Sequence, residues 1–223
     1  MAHPIKFGTD GWRAIIAEDF TFRHVRALAA SIARYLKETG LAARGLVVGY
    51  DTRFASDRFA AAVAEVAAAN DVPVYLCNRP EPTPVVSYAV LTQRAAGGVV
   101  ITSSHNPAPY NGFKYKSEYA GSAAPEVVAV LEERIRVHQA AGQVPRLPLA
   151  EALKQERVQL LDARPPYLAH LRELVDLDRL RASGLTLVHD AMFGAGMGYF
   201  TTLLDGGRTR VINLRDVVNP NFP

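Results

Sequence analysis

The chain has 223 residues, with 25 Lys and Arg against 22 Asp and Glu, and is 49% hydrophobic and 21% charged. That balance is globular and excludes a disordered tail, a collagen-like fibre and a disulfide-stapled miniprotein. A formal charge of +3, with no Lys/Arg block of five or more, gives no ground for a nucleic-acid partner. Cys77 is the only cysteine, so neither an internal disulfide nor a cysteine-based metal site is available. Residues 1–20 lack a basic head followed by an apolar run, and no stretch reaches the ~20 apolar residues that span a bilayer. The expectation is a soluble cytoplasmic protein with no membrane partner.

In chain order, Val25, Leu28, Ala29, Ile32 and Leu36 recur at helical spacing and predict a helix over 20–40, with Asp19 or Thr21 as N-cap and Gly40 as stop. Leu46-Val47-Val48-Gly49-Tyr50 reads as a short buried strand, followed by an alanine-rich helix over 56–70 and a strand over 72–77. Pro80, Pro82 and Pro84 stiffen a loop, with Thr83 as N-cap of a third helix over 85–93. A strand at 99–102, a strand at 113–117 and a helix over 125–139 follow. Periodicity weakens between Ala141 and Glu156, where Pro145 and Pro148 fall, and a linker is placed there. Beyond it come a helix near 166–175, a strand at 185–189, a small-residue turn at 194–196, a helix to Leu204 and a strand at 210–214. Strand–helix alternation implies an α/β fold. The expected architecture is a three-layer open mixed sheet with helices on both faces (1–145), then an incomplete second α/β domain of the same type (157–223).

The chemistry concentrates in GGVVITSSHNPAPYNGFKYK, residues 97–116. A strand delivers Thr102-Ser103-Ser104-His105-Asn106-Pro107 past its carboxyl end, where open α/β sheets bind ligands. A serine beside an imidazole, on a loop stiffened by Pro107 and Pro109, suits a nucleophile or a phosphate carrier. Lys114 and Lys116, two apart on a strand, share a face and suit an anionic phosphate. The same residues also make an ordinary surface turn, and paired lysines also guard edge strands. Phe7-Gly8-Thr9-Asp10-Gly11-Trp12-Arg13 brackets Thr-Asp with glycines, allowing a sharp turn and close approach to a ligand. Arg13 offers a planar fork for phosphate, although a β-turn with a paired arginine reads equally from these residues. Asp51-Thr52-Arg53 ends a strand; Asp51 is read as capping the following helix, and Arg53 stays open between that role and the crevice. His24, His138 and His170 are read as solvated. Gly194-Ala195-Gly196-Met197-Gly198 lacks the spacing of a dinucleotide loop.

FGTDGWRA (7–14), YDTR (50–53) and TSSHNPAPYNGFK (102–114), in this order, resemble the signatures of the α-D-phosphohexomutase superfamily, the phosphoglucomutase/phosphomannomutase enzymes. VHDAMFGAGMGYF (188–200) is similar to the opening of that family's second domain. The resemblance implies reversible transfer of phosphate between the 1- and 6-positions of a hexose through a phosphoserine and a hexose 1,6-bisphosphate intermediate, which also serves as activator. It implies Ser104 as the phosphoserine, His105 as its neighbour, Lys114 as the lysine assisting proton transfer and Arg13 as the arginine near the phosphate. Thr9, Arg53 and Asn106 are candidate substrate-binding residues. The family's Mg²⁺ would take a ligand from the phosphate on Ser104, but its Asp-Gly-Asp-x-Asp-Arg loop does not occur in this sequence. The chain is therefore expected to be an N-terminal fragment, inactive alone, open to self-association through its incomplete second domain. Phosphoglucosamine mutase, a serine phosphatase and a non-catalytic phosphosugar-binding module are the alternatives.

Overall fold

The computed structural model describes residues 5–8, 11–141 and 143–223. The short apolar runs become β1 (Trp12–Ile15), β2 (Leu46–Tyr50), β3 (Val74–Cys77), β4 (Gly97–Ile101), β5 (Tyr110–Ser117) and β6 (Val158–Leu161), one sheet of order β1-β5-β4-β2-β3-β6. β2, β3, β4 and β6 run parallel, whereas β5 and β1 are antiparallel to their neighbours, which makes the sheet mixed.

Alternation along the strands sends side chains to two cores. Leu46, Val48, Val99, Ile101, Phe113 and Tyr115 meet α1 (Phe22–Glu38), α2 (Ser56–Ala69) and α4 (Pro125–Ala141). Val47, Cys77 and Val100 meet α3 (Thr83–Thr92) and α6 (Arg164–Leu174) on the opposite face. The stripe Val25, Leu28, Ile32 and Leu36 of α1 is fully buried, and each such large aliphatic side chain contributes about 1.5–3 kcal/mol of burial. Thr21 caps α1 by accepting the His24 N–H, as its hydroxyl predicts.

Five differences from the sequence expectations have physical causes. The expected linker contains a helix, α5 (Leu149–Lys154), whose Ala152 is buried against α2. Beyond it, β6 completes the first sheet beside β3, outside the 1–145 span. Six- and four-residue elements offer too few turns or alternations to register as periodicity. β1 was hidden for the same reason. β5 lies between β1 and β4 rather than at an edge, and Lys114 and Lys116 are buried on the α3 side, so edge protection does not account for them. His24 is buried against Trp12 and His170 stacks on Tyr88, so neither is a freely solvated side chain.

The second unit comprises α7 (Leu177–Ala182), β7 (Thr186–Asp190), α8 (Tyr199–Leu204) and β8 (Arg210–Leu214). β7 and β8 form a separate parallel pair. Leu187 and Val211 turn towards the α3–α6 core, while Val188, Ile212 and Leu214 stay exposed on the outer face.

Candidate active site

The helices following β2 and β3 leave on opposite faces of the sheet, and β4 pairs with β2 on the side away from β3. That divergence opens a crevice beyond the carboxyl ends of β2 and β4, the usual ligand position in such sheets. Backbone bonds join the strand ends in one row: Asp51 N–H donates to the Ile101 carbonyl and Glu81 N–H to the Tyr50 carbonyl. The resulting crevice, about 200 Å³, is lined by Asp51, Glu81, Thr102, Ser104, Gly194 and Gly196 among others.

Ser104 and His105 are exposed at its rim, whereas Ser103 is fully buried. Ser104 adopts a left-handed backbone with φ +57°, a conformation that costs a non-glycine residue roughly 1–3 kcal/mol unless its surroundings hold it. They do. Ser104 N–H donates to Thr102 Oγ1 at 3.0 Å, and its carbonyl accepts from Arg53 Nη2 at 2.9 Å. The His105 Nδ1 lies 3.3 Å from Ser104 Oγ.

Arg53 is only 6% exposed and holds the loop from beneath. Its Nη1 donates to the Pro107 and Tyr110 carbonyls, and its Nη2 to those of Ser104 and Asn106. Nε pairs with Asp51 Oδ2 at 3.2 Å. Every N–H of the guanidinium therefore points at this chain's own backbone or at Asp51. The substrate-binding role expected for Arg53 is replaced by a loop-holding geometry, because a buried fork of five donors must be satisfied internally. Burial lowers its proton affinity, Asp51 opposes that, and the like charge of nearby Arg13 adds to it. Asp51 does not cap the α2 backbone. Its Oδ1 accepts from Arg53 N–H and from the Ser56 hydroxyl, which in turn accepts from Asn111.

Arg13 sits on β1 opposite Gly112 and is exposed. Gly11 has φ +104°, and a Cβ there would meet the Phe113 carbonyl at 2.2 Å. Gly112 is equally constrained, since its Cβ would lie 2.4 Å from the Thr102 carbonyl. These glycines thus permit close approach between strands that carry the site, rather than contact with a ligand. Thr9 and Asp10 lie outside the described residues. Asn106 lines a second, wider opening of about 660 Å³ beside Ser104 and His105. Lys114 is 7% exposed at the register of Val100 and does not line either opening.

Two residues that sequence reasoning passed over help to close the crevice. Thr52 Oγ1 donates to the Phe193 carbonyl at 2.7 Å, tying the turn after β7 to the end of β2. Glu81, buried at 1% exposure, accepts from the Tyr199 hydroxyl and pairs with Arg164. The available signal for Glu81 was an acid between two prolines just past a strand's carboxyl end. His189, on β7, packs its ring against Phe200 of α8 at 4.7 Å between centroids.

Among the described residues no three His, Cys, Asp or Glu side chains converge. Asp51 and Glu81 already spend their oxygens on Arg53, Ser56, Arg164 and Tyr199. This donor set does not fit a resident Mg²⁺. No helix among the described residues is long and apolar enough to cross a membrane.

Residues 4–141 match the family model for phosphoglucomutase/phosphomannomutase, alpha/beta/alpha domain I. The chain is 32% identical to a phosphoglucomutase of Komagataeibacter xylinus, over 98% of this chain and 41% of the relative. It is 33% identical to glucose 1,6-bisphosphate synthase of Homo sapiens, over 86% of this chain and 33% of the relative. A crystal structure of a putative phosphomannomutase from Thermus thermophilus superposes with TM-score 0.85 at 37% identity, over 100% of this chain and 48% of that one. The chain spans less than half the length of each. With the serine loop, its clamp and the mixed sheet all carried within the matched region, the chain belongs to the phosphoglucomutase/phosphomannomutase family of the α-D-phosphohexomutase superfamily.

Proposed function

We propose that residues 1–223 supply the phosphoserine part of a phosphohexomutase, with a first domain that runs past the expected 1–145 to include β6 and with the start of its second beyond it. The observation that carries this reading is Ser104: an exposed hydroxyl at a strand end, in a left-handed backbone held by Arg53 and Thr102, beside a fully buried Ser103. Phosphoryl transfer needs positioning and charge neutralisation more than covalent chemistry. In the proposed step Ser104 Oγ attacks one phosphorus of a hexose 1,6-bisphosphate. The Oγ–P bond forms, the bond from phosphorus to the sugar oxygen breaks, and the hydroxyl proton passes by way of His105, whose Nδ1 lies 3.3 Å from Oγ, to that oxygen. The Lys114 role that the resemblance implies would need the loop to move, since Lys114 lines neither opening. In the reverse transfer the free hydroxyl of a hexose monophosphate, at position 6 of a 1-phosphate or position 1 of a 6-phosphate, attacks the phosphoserine, which regenerates the bisphosphate and the Ser104 hydroxyl. Taking the phosphate from opposite ends in the two transfers interconverts the 1- and 6-phosphates. Arg13 is proposed to meet the phosphate, Asn106 and Thr9 the substrate. Arg53 acts through the loop alone. The 1–223 chain is proposed to be inactive by itself, and to self-associate through the outer face of β7–β8, where Val188, Ile212 and Leu214 are exposed. Mg²⁺ would belong to the whole enzyme, and no step here is routed through it.

The test incubates the intact gene product with glucose 1,6-bisphosphate and maps phosphate by mass spectrometry, then assays glucose 1-phosphate, mannose 1-phosphate and glucosamine 1-phosphate as separate substrates. Phosphate on Ser104, loss of turnover in Ser104→Ala and background activity from the 1–223 chain are expected. Phosphate on Ser103, or full turnover by Ser104→Ala, overturns the assignment.

A further inference from the structure

The turn at 191–198 forms the wall of the crevice opposite the serine loop, yet it belongs to the second unit. Its conformation is unfavourable by itself, since Met192 and Phe193 are both left-handed, with φ +49° and +61°. Something must hold it. At its start the Thr52 hydroxyl binds the Phe193 carbonyl. At its end stands Tyr199, the first residue of α8, whose hydroxyl donates to Glu81 Oε2. Arg164 approaches Glu81 Oε1 at 3.3 Å and lies over the Tyr199 ring at 4.5 Å, and Arg79 completes the group at 4.0 Å. Glu81 itself is tied to the sheet by its N–H, which donates to the Tyr50 carbonyl beside Asp51.

We propose that Glu81 is a positioning residue of the Ser104 crevice, holding the turn 191–198 against the serine loop through Tyr199 and Arg164. A carboxylate with no side-chain exposure is retained only where partners satisfy it. Here those partners stand on α6 and α8, whereas Glu81 stands at the end of β3. The Tyr199 bond therefore crosses between the sheet that carries Ser104 and the unit that faces it, and Arg164 braces it by contacting both Glu81 and the Tyr199 ring. A hydrophobic residue at 81 would leave α8 in contact with α6 through Tyr167 and Tyr199 but would not fix the angle at which α8 begins.

The proposal deepens the reading of Ser104 as phosphoacceptor, and its test uses no phosphate, so the two can fail separately. Hydrogen exchange and the His105 imidazole resonances are followed by NMR in the 1–223 chain, in Glu81→Gln, in Tyr199→Phe and in Tyr88→Leu. The last weakens the contact between α3 and α6 without touching Glu81. Loss of a buried bond to a charged acceptor is expected to raise exchange across 191–198 about tenfold or more in the first two variants. The His105 resonances should shift with it, while exchange in β4 and β5 stays unchanged. Unaltered exchange at 191–198, a rise shared evenly by the whole chain, or the same pattern in Tyr88→Leu overturns the proposal. Tyr199→Phe keeps the ring and serves where Glu81→Gln fails to fold.

Discussion

Replacing Arg53 with lysine keeps the charge and removes the fork. In the native site the guanidinium makes four bonds to carbonyls spread over residues 104–110 and a fifth contact to Asp51. An ammonium has three donors at one point, so at least two of those five contacts are lost. A hydrogen bond to a charged group is worth about 1.5–3 kcal/mol, and the released carbonyls recover part of that from water, which leaves about 2–4 kcal/mol for the loop. That is roughly a 30- to 1000-fold larger population of open loop, at ~1.4 kcal/mol per factor of ten. The amides of Ser104, Asn106 and Tyr110 report it directly, because each is bonded inside the loop to Thr102, Ser103 or Pro107. Their exchange in Arg53→Lys should accelerate by that factor, beyond any change in amides of α1. Exchange at the three amides that is unchanged, or that rises only in step with α1, refutes the clamp. Arg53→Met should be worse, since it leaves the Asp51 carboxylate without its cation.

Among the carboxylates of the second unit, Asp190 is held below its usual 3.8 by hydrogen bonds from Arg215 and the Met192 N–H. A depressed carboxylate contributes stability above its unfolded value and loses it as pH falls through the folded one. Asp190→Asn should therefore melt below the native chain at pH 7, with the gap closing below about pH 4; a gap that does not change with pH contradicts this. Self-association through β7–β8 predicts a light-scattering mass that rises with concentration, abolished by the double change Val188→Lys and Ile212→Glu. A strictly monomeric native chain at high concentration rules it out.

Apolar periodicity alone located α1 to within two residues at either end and found α2, β2, β4 and β8, because each buries a continuous stripe or run. The strand-end serine loop was legible for a related reason: a polar run follows an apolar strand, and the local chain order carries the message. Residue type also marked Arg53 and Asp51 as ionisable groups near a strand end, but not what they face, and it passed over Glu81. Only the tertiary structure decided that. The pairing of β5 between β1 and β4 buried Lys114 and Lys116, and the adjacency of β2 and β4 turned Arg53 beneath the serine loop. Folding α8 against the end of β3 enclosed Glu81 with Tyr199, a partner 118 positions away. Such contacts leave no periodic trace, because a hydrogen bond between distant segments constrains one residue on each and nothing between them. The left-handed backbone at Ser104 belongs with them: no local rule demands it of a serine, and it persists because Thr102 and Arg53 hold it from both sides.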